Sequence, residues 1–270
     1  MYQEYFHFSE MPFNVTPDPK FLYLSPTHQE ALAHLRYGIE QRKGFIVITG
    51  EVGCGKTILC RTLLSKLDPS IFETILIFNP QVDSTELLRG ILGELGADNK
   101  LTSPIELINQ LNESLLWHVA KGKEVLMIID EAQNLTPEVL EEIRLLSNLE
   151  TDDQKLFQII LMGQPELKQK LQDPKLRQLK QRILVYYDIA QLTKSETVKY
   201  IQHRISLASG NPNMPFFTPW ALRKIYSFSK GIPRVINNVC DKALLSAYSR
   251  LSFEVCLKDV RRAVKDIRRL

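Results

Sequence analysis

Phe45-Ile46-Val47-Ile48-Thr49-Gly50-Glu51-Val52-Gly53-Cys54-Gly55-Lys56-Thr57 runs from an apolar, β-branched stretch directly into the pattern GxxxxGK[ST]. FIVIT at 45 to 49 reads as a buried strand, and TILCRTLLSKL after it carries leucine and isoleucine at helical spacing, so the glycines stand at a strand-to-helix turn. Glycine there lets the backbone aim its amide groups at phosphate oxygens, and a helix beginning at Lys56 points its positive dipole end at them. Lys56 would reach the β- and γ-phosphates and the Thr57 hydroxyl would ligate magnesium. The expected nucleotide-binding residues are Gly50, Glu51, Val52, Gly53, Cys54, Gly55, Lys56 and Thr57. Cys54 is expected to be a small filler with its side chain turned away from the ligand; a redox switch is the alternative.

Working outward, four more short apolar runs follow: TILIFN at 74 to 79, VLMIID at 125 to 130, FQIILMG at 157 to 163 and ILVYYDI at 183 to 189. They alternate with amphipathic segments that open on Ser, Thr or Pro, as helices do. Strands buried on both faces of a parallel sheet have this pattern, which predicts an α/β three-layer P-loop core. After about residue 191 the strand signals stop, and SETVKYIQHRISLAS, TPWALRKIYSFS, IPRVINNVCDKALLSAYS and LKDVRRAVKDIRRL read as helices. The expected division is a nucleotide-binding core over 1–190 and a small all-α lid domain over 191–270.

VLMIID ends in a pair of carboxylates. Asp130, expected at the end of the strand beside the glycine loop, would hold magnesium, and Glu131 would polarise the attacking water as general base. FQIILMGQPEL should lie beside that acidic strand, placing Gln164 where an amide orients water or reports on the γ-phosphate; a plain turn residue is the alternative. Arginines can spread the charge that develops during hydrolysis. Arg234, in GIPR at a helix start, could supply one in cis, and Arg182 or Arg177, in LRQLKQRI, one in trans from a second copy. The cofactors implied are ATP and Mg2+.

Composition excludes other classes. The 34 basic and 31 acidic side chains leave a formal charge of +3, too small an imbalance to demand nucleic acid or an acidic membrane as partner. The four cysteines form no CxxC pair and no metal-ligand spacing with the histidines, which fits reduced thiols in a cytoplasmic protein. The start, MYQEYFHFSEMPF, lacks the basic and apolar regions of a signal peptide, and no segment approaches the roughly 18 apolar residues of a membrane helix.

Taken together, GEVGCGKT, IIDEAQNL, IILMGQPEL, LRQLKQRI and GIPRVIN resemble the ExeA (general secretion pathway protein A) family of AAA+ ATPases, and the resemblance runs almost end to end. It implies that Lys56 and Thr57 are Walker A, Asp130 and Glu131 Walker B, Gln164 sensor 1 and Arg234 sensor 2, with Arg182 at the arginine-finger position. It also implies that PFNVTPDPKFLYLSPTHQEAL packs over the base, with Pro17, Tyr23, Leu24, His28 and Glu30 near the adenine. Longer members continue into a transmembrane helix and a peptidoglycan-binding domain; this chain ends at DIRRL and is similar to the short members, associated with secretion, pilus or surface-polysaccharide systems. The family expectation is a homo-oligomeric ring, a hexamer for example, that is cytoplasmic or held at the inner membrane by an envelope protein partner.

Two other readings stand beside this one. A DNA-associated AAA+ regulator would use Arg261, Arg262, Lys265, Arg268 and Arg269 as a phosphate-binding face, although such a run is more often a solvated helix face. A nucleotide-binding scaffold would bind ATP without appreciable turnover.

Overall fold

A computed structural model describes residues 2–14, 18–78, 80–97, 101–150, 156–209 and 215–269. Its contacts divide the chain into two compact units, one comprising Gln29–Gly50 and Thr62–Ile189 and the other Met1–His28, Glu51–Arg61 and Ala190–Leu270.

The first unit is built on five strands, β1 (Phe45–Gly50), β2 (Phe72–Phe78), β3 (Glu124–Asp130), β4 (Phe157–Gly163) and β5 (Ile183–Ile189), ordered β2-β3-β4-β1-β5. Every pairing is parallel. Side chains alternate along a strand, so Val47, Met127, Ile129, Ile159 and Leu161 project to one face, where they join Leu88, Leu111 and Leu140 in a single core. Those leucines come from the helices Ser84–Glu94, Pro104–Ala120 and Pro137–Leu146. On the other face Ile46 packs under the helix Pro26–Glu40, close enough that a β-carbon on Gly38 would stand 2.5 Å from it. The helices begin where their caps allow: Asp83 and Glu86 form a reciprocal capping box, and Thr136 accepts from Val139 N ahead of Pro137. Losing such a cap to alanine costs about 1 kcal/mol.

Two expectations need correction here. The acidic strand β3 does not adjoin β1, because β4 stands between them. The chain leaves β1 for the far edge and fills inward, and three equally apolar runs carry no record of that order. Nor are all five strands buried on both faces. β1 and β4 are buried throughout and β3 from Val125 onward, whereas edge strand β5 exposes Leu184 and Tyr186 and edge strand β2 fully buries only Ile75.

In the second unit the helices Lys194–Ser209, Pro219–Ser229, Pro233–Tyr248 and Leu257–Ile267 pack around Ile201, Ile225, Ile236, Val239, Leu244 and Val260. Phe6, Phe8 and Phe13 from the amino-terminal segment join the same core. The part after residue 191 is helical but not purely so, since Phe216–Phe217 and Glu254–Val255 pair as two short parallel strands. Two residues are too few to leave a period-two signal in the sequence. No helix among the described residues is long and apolar enough to cross a membrane.

Candidate nucleotide site

The glycine loop belongs to the second unit and leads into the helix Lys56–Leu64. Gly53 and Gly55 have φ of +81° and +98°, a left-handed backbone that residues with a β-carbon rarely adopt. Space decides as much as torsion: a β-carbon on Gly53 would lie 2.5 Å from Arg234 Cβ, and one on Gly55 would lie 3.0 Å from His28 Nε2. Arg234 is the second residue of the helix Pro233–Tyr248, and its backbone N–H donates to Gly53 O at 3.2 Å. Its side chain is exposed, so the guanidinium is carried on a stem laid along the loop. Lys56 is only 5% exposed and its Nζ donates to Glu51 O at 3.2 Å, which curls the ammonium over the loop. Cys54 is buried, as expected of a filler.

His28 fastens the loop from the other side. Its Nε2 lies 2.8 Å from Cys54 O and its Nδ1 2.6 Å from Ser25 Oγ. A carbonyl can only accept, so Nε2 carries the proton and Nδ1 accepts from the serine. Burial pushes the His28 pKa below its ordinary value, against the opposing pull of the Cys54 carbonyl and Glu196, which keeps the ring neutral. A small cleft beside the loop is lined by Tyr23, His28, Gly55, Ile58 and Pro233, among others. Of the residues expected near the base, Tyr23 and His28 line it. Leu24 and Glu30 do not; Glu30 accepts instead from Tyr187 Oη at 2.7 Å, and Pro17 lies outside the described residues.

The acids belong to the first unit. Asp130 ends β3, is 4% exposed, and accepts from Glu131 N at 2.9 Å. Glu131 follows with φ 56° and ψ 38°, a left-handed conformation that costs a residue with a side chain about 1–3 kcal/mol. Its carboxylate Oε2 accepts from Gln164 Nε2 at 2.9 Å and from Gln133 Nε2 at 2.5 Å. Gln164 reaches it because β4 adjoins β3, as expected, and ends at Gly163 one residue earlier. Gln133 carries no motif role; its only signal in the sequence is a position two residues past the acid pair in IIDEAQNL.

A family model for an AAA domain matches residues 39–171. General secretion pathway protein A of Aeromonas hydrophila is 43% identical over 268 residues, covering 99% of this chain and 48% of that protein. Residues 39–171 thus match an AAA domain, and the chain is similar to general secretion pathway protein A along nearly its whole length. It spans about half the length of that relative. The solved structure of the Aeropyrum pernix ORC1 protein in complex with DNA aligns over 96% of this chain and 70% of its own at 15% identity, with a TM-score of 0.71. The Aeropyrum pernix ORC2 protein, solved in ADPNP–ADP complexes, aligns over 96% and 72% at 16% identity with a TM-score of 0.69. At that identity both similarities describe the fold.

The remaining arginines stand apart. Arg177 and Arg182 bound a short helix that precedes β5, so they lie at the amino end of the sheet while Asp130 and Gly163 lie at the carboxyl ends. Seven residues of strand separate those ends by about 20 Å at roughly 3.3 Å per residue. The structure therefore does not bring them to the acids of their own copy. Arg182 donates from Nη1 to Ser147 Oγ at 2.7 Å, whereas Arg177 is exposed. The basic tail residues Arg261, Arg262, Lys265, Arg268 and Arg269 are all exposed; the first three lie on the helix Leu257–Ile267, whose apolar side chains Val260, Ala263 and Val264 are buried.

Proposed function

We propose that this chain binds ATP and hydrolyses it to ADP and phosphate, residues 1–190 forming the nucleotide-binding core and 191–270 the lid, and that turnover drives or regulates a cell-envelope secretion, pilus or exopolysaccharide assembly apparatus. The observation that carries the nucleotide reading is the seating of Arg234 on Gly53: a loop that is glycine where its torsions and its neighbours disfavour a side chain, with the backbone N–H and aliphatic stem of an arginine set against it. Such a loop offers backbone amides and a guanidinium to one polyanion. Gly50, Glu51, Val52, Gly53, Cys54 and Gly55 supply the loop, and Lys56 the charge on the terminal phosphates. Thr57 and Asp130 are hard oxygen donors of the kind magnesium takes, and Asp130 is buried and already oriented by a backbone N–H. Magnesium, when bound, neutralises phosphate charge. Glu131 takes the proton of the attacking water as its oxygen bonds to the γ-phosphorus and the bond to the ADP oxygen breaks; Gln164 orients that water, and Arg234 spreads the developing charge.

An arginine about 20 Å from the acids of its own copy can act only on another's site, which supports a homo-oligomer, a ring of which a hexamer is one form, with Arg182 as the trans residue and Arg177 its exposed alternative. The homology to general secretion pathway protein A supports an envelope protein partner and a cytoplasmic location, peripheral at the inner membrane through that partner. The test is ATP hydrolysis against protein concentration for the wild type, Lys56→Ala, Glu131→Gln and Arg182→Ala. Specific activity that rises with concentration, falls in all three variants, and returns when Arg182→Ala is mixed with Glu131→Gln supports the shared site. ATP binding without turnover at any concentration sinks hydrolysis and leaves the scaffold reading.

One observation favours a second reading, DNA association: the exposed cations on and just after the helix Leu257–Ile267 form a face with no exposed apolar side chain of its own. Phosphate contacts of that kind give affinity that falls steeply with salt. No duplex binding at low salt would remove this reading.

A further inference from the structure

Gln133 has no part in the roles above, yet its side chain closes a ring around two of them. Its Nε2 donates to Glu131 Oε2 at 2.5 Å, its Oε1 accepts from Gln164 N at 3.0 Å, and Gln164 Nε2 donates to the same Glu131 Oε2 at 2.9 Å. The backbone N–H can only donate and the carboxylate accepts, so the orientation of the Gln133 amide is dictated: turned over, it would set nitrogen against N–H and oxygen against a carboxylate. The neighbours are shaped to hold it. A β-carbon on Gly163 would stand 2.9 Å from Gln133 Oε1, so the residue that ends β4 leaves room for the amide. Lys170 Nζ donates to Gln133 O at 2.6 Å and to Leu135 O at 2.5 Å, pinning the Ala132–Asn134 turn to the very helix that Gln164 caps.

We infer that Gln133 is a positioning residue: its amide ties the Glu131 carboxylate to the backbone N–H of Gln164, whose own side chain donates to the same carboxylate, so that the base and the phosphate-sensing amide are set as one unit. The inference rests on the hydrolysis reading for its catalytic consequence but not for the ring of hydrogen bonds. It assigns Gln133 no contact with nucleotide. Removing its amide leaves the loop that binds phosphate untouched and loosens only the base, which separates turnover from affinity.

The test uses Gln133→Met, which keeps length and loses both polar atoms, and Gln133→Glu, which keeps shape and replaces the donor with a second carboxylate. Each is expected to lower kcat by about 10–100-fold, the usual loss when an orienting partner is removed, with ADP affinity measured by titration within about twofold of wild type. The double variant Gln133→Met/Gln164→Leu is expected to lose less than the product of the two single losses, because both side chains hold one carboxylate. Turnover within twofold of wild type for Gln133→Met, an equal loss of ADP affinity, or losses that multiply in the double variant would each overturn the inference. A second arm needs no turnover. In the nucleotide-free protein the melting-temperature losses of Gln133→Met and Gln164→Leu should fall short of additive in the double variant; strict additivity overturns the coupling, whereas a wild type that binds ATP without hydrolysing it overturns only the hydrolysis reading.

Discussion

The glycine loop and the acidic turn both hold backbone in the left-handed region, and they do so by opposite means. Gly53 and Gly55 adopt φ of +81° and +98° without penalty, and neighbours approach because no β-carbon is in the way. Glu131 adopts φ 56° at a cost, and the turn persists because Gln133, Gln164 and Lys170 bind its carboxylate and its carbonyls. One element is positioned by the absence of side chains and the other by their presence. A loop of the first kind presents backbone amides to whatever anion arrives, while a turn of the second kind aims one carboxylate. Substitutions should therefore fail differently in the two places.

The sharpest break is Glu131→Gln, which keeps the shape of the turn and removes the carboxylate proposed as base. Hydrolysis should fall by about 10²–10⁴-fold, the range of general base catalysis, while ATP binding stays within about twofold. A loss below tenfold, measured as kcat beside an equilibrium titration, would mean that the turn aims no base. Gly53→Ala probes the other element. It places a β-carbon 2.5 Å from Arg234 Cβ at φ +81°, so it should destabilise the fold by about 1–3 kcal/mol in thermal unfolding and weaken nucleotide binding as well. A stable, tight-binding Gly53→Ala would refute the claim that this loop is shaped by missing side chains.

His28 gives a pH test of how the loop is fastened. Its folded pKa is depressed, so below its ordinary value of about 6.5 the unfolded chain binds a proton that the native one refuses. Stability from this group is thus present above that pH and is lost as pH falls towards the folded pKa, with a slope of at most about 1.4 kcal/mol per pH unit. Unfolding followed between pH 7.5 and 5 should show part of that slope disappear in His28→Gln; an unchanged slope would mean that the ring is not held neutral against the loop. The smallest effect belongs to a glycine with neither job. Gly90, inside the helix Ser84–Glu94, has nothing within 4 Å of an added β-carbon, so Gly90→Ala should stabilise the protein by about 0.5–1 kcal/mol. A destabilised Gly90→Ala would blunt the contrast with Gly53.

The same contrast governs how much could be read in advance. GEVGCGKT is legible because glycine takes φ near +81° at no steric cost while residues with a β-carbon rarely adopt it, so the pattern survives as letters. The strands were legible because burial on both faces needs continuous apolar runs, and β3 and β4 are such runs. Gln133 was not, since a glutamine two residues past an acid is common and becomes a positioning group only when β4 delivers Gln164 beside it. His28 and Ser25 were illegible as a clamp for the same reason, lying 26 and 29 residues from Cys54 along the chain.

By itself, then, the sequence determined what depends on local rules: a strand-loop-helix with glycines where torsion requires them, five apolar runs for a parallel sheet, a helical remainder, and two adjacent carboxylates at a strand end. Strand order, the insertion of β4 between β1 and β3, the seat of Arg234 on Gly53 and the ring of Gln133, Glu131 and Gln164 were decided only by tertiary structure. The reason is physical. Torsion and hydrophobic periodicity act over a few residues and leave their mark in the letters, whereas a hydrogen bond between side chains 33 residues apart exists only once the sheet has brought their strands side by side.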